Sequence, residues 1–262
     1  MPTLGDILDT TRATLPALRD QTAELERAAG SRPAAPDFAA ALAGSATVAL
    51  IAEVKRRSPS AGAINEGLDP VTLARAYAAG GAAAISVLTD APFFGGSLAD
   101  LAAVADQVNR PVIRKDFILD EVQLLEARAA GAAAALLIVR ALDQLALVRL
   151  SRFGGALGLA VLVEVHNAVE LDRALEADAA IIGVNARDLD TFTINCRAAW
   201  DLLHRIPADR IAVAESGMVT VTDVADAAAA GADAILVGSA LAASGDPEGG
   251  AQALAGVHRR GR

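Results

Sequence analysis

Charged side chains interrupt an apolar run near the middle of the chain. In the segment 111–117 a short run of the kind that forms a buried strand ends in Arg114, Lys115 and Asp116. A buried strand is not expected to end in three charges unless that end faces solvent or a binding site. A lysine in this position, beside apolar neighbours, is the kind whose pKa is lowered enough to transfer protons. For this segment alone, a strand end exposed to solvent is as good an explanation as a functional site. The ends of the other predicted strands distinguish the two explanations.

Polar side chains also follow most of the other predicted strands. Glu53 and Lys55, at positions i and i+2, point to the same side, and Glu164 follows another apolar run. Taken singly, Glu53 and Lys55 are explained by a rim ion pair, and Glu164 by exposure. Further along, the polar strand ends carry Asn185 and Arg187, then Glu215, Ser216 and Gly217, then Gly238 and Ser239. Solvation or a simple turn explains each one, but not their concentration, and we therefore predict a functional site.

The residue types at these ends favour acid–base chemistry on an organic substrate. Lysines and glutamates are present without a metal-ligand cluster or a dinucleotide-binding motif, so we expect neither a metal nor a redox cofactor. His166 and His204 are expected to be surface or capping residues. Ser216-Gly217 and Gly238-Ser239 are typical of a phosphate site, because glycines let backbone N–H groups approach an anion. Ser58 could add a hydroxyl from the first loop.

The elements that must position these residues alternate in type. Apolar runs rich in Val, Ile and Leu predict parallel strands buried on both faces. They are 48–54, 83–88, 112–114, 134–139, 160–165, 180–184, 211–214 and 234–237. Helical segments are predicted between them, at 70–79, 98–107, 120–130, 142–153, 168–175, 197–204 and 221–230. Eight such units predict a single (β/α)₈ TIM barrel with its site at the carboxyl ends of the strands.

A repeated turn supports the barrel. Gly81, Gly131 and Gly231 each end a predicted helix and precede a strand, and Asp178 takes the equivalent place in another unit. A doubly wound open sheet is the alternative, but it normally has a glycine-rich turn after its first strand, where this chain has charged residues. Ahead of the barrel, residues 1–46 are predicted to form a helical extension. It has a helix over the first twenty residues, a looser segment with Gly30, and a short helix at 37–42.

Composition limits the partners. The chain has 262 residues, 53% of them hydrophobic, and a formal net charge of −9, which disfavours a nucleic-acid surface. It has one cysteine, Cys196, and no apolar run of the roughly 20 residues needed to span a bilayer. The start of the chain has no signal-peptide pattern. We therefore expect a cytoplasmic protein without a membrane partner, and a barrel domain that extends over residues 47–262.

Several motifs, in order over about residues 47–241, resemble those of indole-3-glycerol phosphate synthases. They are Ile51–Ser60, Phe93–Ser97, Arg114–Ile118, Leu162–His166, Gly183–Leu189, Ala214–Gly217 and Leu236–Ser239. The resemblance implies a lyase of tryptophan biosynthesis. Its substrate would be the sugar phosphate 1-(2-carboxyphenylamino)-1-deoxyribulose 5-phosphate, whose indole ring it closes with loss of CO₂ and water.

The resemblance also implies roles for individual residues. Lys115 resembles the general acid for ring closure, Glu164 the acid–base group for dehydration, and Lys55 the contact to the substrate carboxylate, oriented by Glu53. The implied substrate contacts are Asn185, Ser216, Glu215, Arg187, Ser58, Gly217, Gly238 and Ser239, with Phe94, Phe117 and Leu136 around the anthranilate ring. Two lysines in one dry pocket are expected to lower each other's pKa. The lysine that is common after Ser60 is replaced by Ala61, and a polar residue by Ala186.

Two other functions remain open at this stage. A phosphoribosylanthranilate isomerase-like enzyme would use the same barrel, but with an early cysteine and an aspartate as its acid–base pair. A barrel that only binds a phosphate ligand is the non-catalytic alternative, and the intact set of lysines and glutamates disfavours it. We expect a monomer or a weak homodimer.

Overall fold

Eight parallel strands close into a barrel, which confirms the predicted fold. The computed structural model describes residues 2–44, 46–59, 62–65 and 67–261. The strands are β1 (Ala49–Val54), β2 (Ala84–Leu88), β3 (Val112–Lys115), β4 (Ala134–Ile138), β5 (Ala160–Val165), β6 (Ile181–Asn185), β7 (Ile211–Glu215) and β8 (Ala234–Val237). Each pairs with the next, and β8 pairs with β1.

Alternation along each strand divides the core into two layers. In β1, Leu50 and Ala52 belong to the layer between barrel and helices, whereas Ala49 and Ile51 belong to the cluster inside the barrel. The two-residue period of a strand continues this pattern to its end. In β3, the inward position after Ile113 is Lys115, so it is directed to the barrel interior. Arg114 is directed outward.

Helices surround the barrel, and in the described part of the chain nine of them lie near their predicted positions while four were not predicted. The helices are α1 (Leu4–Arg19), α2 (Thr22–Ser31), α3 (Phe38–Leu42), α4 (Pro70–Ala79), α5 (Ala91–Phe94), α6 (Leu98–Gln107), α7 (Glu121–Ala129), α8 (Gln144–Ala156), α9 (Ala168–Glu176), α10 (Cys196–Leu203), α11 (Val221–Ala229), α12 (Ser239–Ala242) and α13 (Pro247–Ala255). The prediction of a looser segment before residue 37 is wrong for α2. Gly30 falls in its last turn, where its low helix propensity costs least, and the prolines follow the helix end.

The N-terminal helices pack along the barrel. Arg19 of α1 donates to Asp120, the N-cap of α7, and Arg32 beyond α2 donates to the carbonyls of Ala129 and Ala130 at the other end of α7. Phe38 and Leu42 of α3 are buried in the cluster inside the barrel. The extension therefore covers one side and adds to the core.

The repeated turns have the backbone conformation that the sequence predicted. Gly81, Gly131 and Gly231 have φ angles of 91°, 94° and 95°, a region that favours glycine. Asp178 replaces glycine in the equivalent turn and also has a positive φ of 56°. Aspartate tolerates this conformation better than most residues.

The loop after β1 contains a small hairpin, in which Arg57–Ser58 pairs with Gly62–Ala63. Ser60 and Ala61, including the departure noted at Ala61, lie outside the described residues. Among the helices of the described residues, none is long and apolar enough to cross a membrane.

Candidate active site

A cavity opens at the carboxyl ends of the strands, and the predicted site residues line it together. They are Glu53, Lys55, Ser58, Phe94, Lys115, Phe117, Leu136, Glu164, Asn185, Arg187, Glu215, Ser216, Gly217, Gly238 and Ser239. The barrel brings them together because the ends of its parallel strands meet at one rim.

Lys115 lies among buried carboxylates. Its Nζ donates to Glu164 Oε2 at 3.1 Å and lies 3.5 Å from Glu215 Oε2. Glu164 and Glu215 are each 1% exposed. The pairing of β5 with β6 sets Gly183 beside Glu164, and a Cβ at Gly183 would lie 2.1 Å from Glu215 Oε1. Gly183 therefore leaves the space that lets Glu215 approach this pair.

The prediction that the pKa of Lys115 is lowered is wrong. Burial does act to lower the pKa, but the negative charges of Glu164, Glu215 and Glu53 outweigh it and raise the pKa of Lys115 above its ordinary value. The second lysine of the site, Lys55, forms an ion pair with Glu53. Carboxylate neighbours therefore decide the charge of Lys115, and it rests as a proton-bearing cation.

The two buried glutamates near Lys115 have pKa values shifted in opposite directions. Burial raises the pKa of Glu164, but Lys115, His166 and a hydrogen bond from Asn185 reverse this and keep its pKa below the ordinary value. Burial and the negative charge of Glu164 raise the pKa of Glu215, since Lys115 offsets them only in part. Contact with the carboxyl group of Glu164 also raises the pKa of Glu215, and among the described residues neither of its oxygens accepts a hydrogen bond from an N–H group. The site therefore shifts the pKa values of these two neighbouring carboxyl groups in opposite directions.

Lys55 and Glu53 form an ion pair inside the cavity. The Glu53 side chain is 3% exposed, so the pair is not the exposed rim bridge of the simplest explanation. A Cβ at Gly238 would lie 2.3 Å from Glu53 Oε1, which shows how closely β8 approaches this carboxylate. Nearby, burial lowers the pKa of Arg187, while Glu53 acts in the opposite direction.

Arg114 and Asp116 support the wall on either side of Lys115. Arg114 is 4% exposed and pairs with Asp116 at 2.9 Å and with Glu126 of α7 at 2.8 Å. Thr89 donates to the same oxygen of Asp116. These charges are satisfied behind β3, so they fix the strand end that carries Lys115.

The loops after β7 and β8 approach the cavity through their backbone. Ser216 and Gly217 have positive φ angles of 64° and 80°. A Cβ at Gly217 would lie 2.4 Å from Cys196 Sγ. A positive φ at a residue other than glycine, as at Ser216, is often found at ligand sites. The short helix α12 begins after Gly238 without a side-chain cap, which leaves its first N–H groups available for an anion.

An apolar wall faces these polar groups. The rings of Phe94 and Phe117 are 6.1 Å apart, and Leu136 is buried beside the cavity. Sequence reasoning missed further apolar lining residues after β6 and β7: Leu189, Phe192, Ile194, Met218 and Val219. Their apolar character in loops after strand ends was a signal, because apolar side chains in a loop are usually buried against another surface.

His166 is the clearest error. It was expected at the surface or in a cap, but its side chain is 3% exposed and its Nε2 lies 3.3 Å from Glu164 Oε1. His204 does follow the last residue of α10, where its Nδ1 lies 2.8 Å from the Trp200 carbonyl. No group of three or more His, Cys, Asp or Glu side chains among the described residues is arranged to hold a metal ion.

Comparison with known proteins identifies the family. The family model described as indole-3-glycerol phosphate synthase matches residues 4–254. The chain belongs to the indole-3-glycerol phosphate synthase family. The enzyme of that name from Nocardioides sp. (strain ATCC BAA-499 / JS614) is 50% identical over 246 residues, which cover 94% of this chain and 93% of the relative. That of Streptomyces griseus subsp. griseus is 47% identical over 269 residues and covers all of both chains.

Membership of this synthase family makes the chain a carboxy-lyase of tryptophan biosynthesis. Solved structures agree on the fold alone. A 3-hexulose-6-phosphate synthase is 17% identical, with a TM-score of 0.64 over 79% of this chain and 98% of the other. A thiamine phosphate pyrophosphorylase from Pyrococcus furiosus is also 17% identical, with a TM-score of 0.60 over 79% of this chain and 93% of the other.

The departure at Ala186 has a simple structural outcome. Ala186 is 6% exposed and packs in the hydrophobic layer between the barrel and the helices, away from the cavity lining. A small side chain there removes no group from the cavity.

Proposed function

We propose that this synthase converts 1-(2-carboxyphenylamino)-1-deoxyribulose 5-phosphate into indole-3-glycerol phosphate, CO₂ and water through the residues described above. The contact between Lys115 Nζ and Glu164 Oε2 carries the proposal. It joins a protonated lysine to an ionised carboxylate in a cavity with one apolar wall and two glycine loops. A proton donor and a proton acceptor are thus close enough to act on the same substrate molecule.

Lys115 is the general acid for ring closure. Forming the new carbon–carbon bond converts the substrate carbonyl oxygen into an alkoxide, which needs a proton. The raised pKa of Lys115 supports this role because it keeps a proton on Nζ until a more basic oxygen develops. Loss of CO₂ then restores the aromatic ring.

Glu164 is the acid–base group for dehydration. The hydroxyl left by ring closure must take up a proton to leave as water, and the ring must lose one. An ionised Glu164 can accept the proton from the ring and deliver it to the hydroxyl that leaves as water, while Lys115, 3.1 Å away, takes up from solvent the proton that it gave to the alkoxide. Asn185, which donates to Glu164, keeps that carboxylate directed into the cavity.

The remaining residues place the substrate. Lys55, oriented by Glu53, holds the carboxylate that becomes CO₂, and Phe94 with Phe117 and Leu136 encloses the anthranilate ring. Polar and backbone groups hold the sugar and the phosphate: Ser58, Arg187, Glu215, Ser216, Gly217, Gly238 and Ser239. A phosphate anchored far from the reacting carbons contributes binding energy that orients them.

Neither alternative function is favoured. An isomerase acid–base pair would need a cysteine and an aspartate early in the barrel, whereas β1 ends in the Glu53–Lys55 ion pair. A purely ligand-binding barrel has no use for a buried lysine among three carboxylates.

Turnover of the authentic substrate tests the proposal. The purified protein, treated with a chelator, should form indole-3-glycerol phosphate, measured by its indole fluorescence, and CO₂ in equal molar amounts. The dephosphorylated substrate is the matched control, and its KM should be higher by a factor on the order of 10². Absence of any fluorescence change with the authentic substrate would refute the proposed reaction.

We further propose that the enzyme works in the cytoplasm as a monomer or weak homodimer, without a nucleic-acid or membrane partner. The net charge of −9 supports the absence of a nucleic-acid or membrane partner, because it repels phosphate backbones and anionic lipids. The helical extension of residues 1–46 and the barrel of residues 47–262 are proposed as its two parts. Light scattering over a range of concentrations measures the oligomeric state.

A further inference from the structure

The buried side chain of His166 lies next to Glu164, at the carboxylate oxygen that Lys115 does not contact. It directly follows β5, and its Nε2 lies 3.3 Å from Glu164 Oε1, while Lys115 contacts Glu164 Oε2. The two oxygens of the carboxylate therefore have different neighbours. One faces the lysine of the cavity, and the other faces the imidazole.

Glu170 holds the imidazole from its other nitrogen. His166 Nδ1 lies 3.1 Å from Glu170 Oε2, which also accepts from the His166 backbone N–H at 2.8 Å. Glu170 Oε1 accepts from Asn167 at 2.7 Å and from Arg140 at 3.1 Å. Burial opposes ionisation of Glu170, but the hydrogen bonds from His166 outweigh it and lower the pKa of Glu170.

These contacts call for a hydrogen on both nitrogens of the imidazole. An ionised carboxylate only accepts hydrogen bonds, so Nδ1 must carry a hydrogen to donate to Glu170, and Nε2 must carry one to donate to Glu164. Nε2 is the nitrogen that faces Glu164. Within the described residues, Nε2 has no well-aligned hydrogen bond, although it is buried. A buried polar atom without a partner calls for an explanation, and the carboxylate 3.3 Å away supplies one.

We propose that His166 is a positioning residue for turnover, which holds Oε1 of Glu164 so that Oε2 remains directed at the substrate. The inference rests on the proposed role of Glu164 as the acid–base group. Arg140, on the short helix Val139–Ala141 after β4, links Glu170 to Asp188 at 3.1 Å. The support behind Glu164 thus comes from three separate parts of the barrel.

Substitution of His166 by Gln or by Asn tests its two contacts separately, because each amide can replace only one of the two ring nitrogens. An amide in His166→Gln reaches the position of Nε2 and keeps a donor towards Glu164. An amide in His166→Asn reaches only the position of Nδ1 and keeps a donor towards Glu170. We expect His166→Asn to lower kcat by a factor of about 10 to 100 with KM changed less than about threefold, whereas His166→Gln recovers most of kcat.

A double-mutant cycle tests whether His166 acts through Glu164. In a Glu164→Gln background, where turnover is already low, adding His166→Asn should change kcat less than about twofold. His204→Asn, at the exposed histidine after α10, is the matched control and should leave kcat and KM unchanged. Thermal unfolding of each variant shows whether it is folded.

The outcomes separate the inference from the proposed function. Normal turnover of Glu164→Gln would refute the proposed role of Glu164 and the inference with it. Low turnover of Glu164→Gln together with normal turnover of His166→Asn would refute the inference alone. Equal losses in His166→Asn and His166→Gln, or additive losses in the cycle, would also show that His166 does not act by positioning Glu164.

Discussion

Replacing Lys115 with methionine removes the cation at the centre of the site and nearly preserves side-chain length. We expect kcat to fall by a factor of about 10² to 10⁴, the usual effect of losing a general acid, which corresponds to about 3 to 5 kcal/mol of transition-state stabilisation. Substrate binding should change less, because Phe94, Phe117 and the phosphate loops remain. Single-turnover formation of indole fluorescence measures the chemical step, and titration with a phosphate-bearing product measures binding.

The same substitution should also change how stability depends on pH. In the wild type the pKa of Glu164 is held below its ordinary value of 4.5, mainly by Lys115 against the effect of burial. Glu164 thus contributes stability above that value and loses it as the pH falls. Without Lys115 the buried carboxylate should have a raised pKa, so the folded variant should lose stability as the pH rises above 5. Breaking a buried pair costs about 3 to 5 kcal/mol, so the loss should approach this near pH 8.

Lys115→Arg is the matched control for this experiment. Arginine keeps a cation beside Glu164 but does not give up its proton at any working pH. This variant should retain much of the stability at pH 8 and still lose turnover. The reasoning is refuted if Lys115→Met turns over within about tenfold of the wild type, or if its urea midpoint falls equally at pH 5 and pH 8.

Two further substitutions test the neighbours of Lys115. Gly238→Ala places a Cβ 2.3 Å from Glu53 Oε1 and should displace that carboxylate from Lys55, so kcat/KM should fall about tenfold or more. Steady-state kinetics measure this, with Gly155→Ala as control, since nothing lies within 4 Å of a Cβ there; equal kinetics for both variants would contradict the expected contact. Glu215→Gln replaces a carboxyl group whose raised pKa favours the protonated form, so the wild type should lose stability as the pH rises through that pKa and the variant should not. Urea unfolding between pH 6 and pH 9.5 checks this, and the same alkaline loss in both proteins would show that Glu215 is already ionised.

Much of the fold was predictable because its local signals agree. The apolar runs predicted the eight strands to within one residue at each end, and the glycine turns at Gly81, Gly131 and Gly231 indicated their spacing. The helix Thr22–Ser31 was missed because Gly30 and the nearby prolines resemble a loop in a short window. What stabilises that helix is its packing along α7, a contact between distant parts of the chain that has no local signature.

The site was predictable in its members and much less in its electrostatics. Strand ends and motifs supplied the residues around the cavity, because a barrel collects them wherever they occur along the chain. The apolar loop residues Phe192 and Ile194 were missed, since only the closed barrel brings their loop over the cavity. His166 was missed for a similar reason. Its partner Glu170 is four residues away, but both are buried only because α9 packs against β5.

The error about Lys115 has a physical lesson for the mechanism. From the sequence we expected Lys55 and Lys115 to share one dry pocket, in which two lysines lower each other's pKa. In the folded protein Lys55 is paired with Glu53, and Lys115 is surrounded by carboxylates that raise its pKa. A group held in this way is a weak acid towards water but keeps its proton at every working pH. Because the alkoxide that forms on ring closure is far more basic than water, the proton is transferred when the carbon–carbon bond forms and not before.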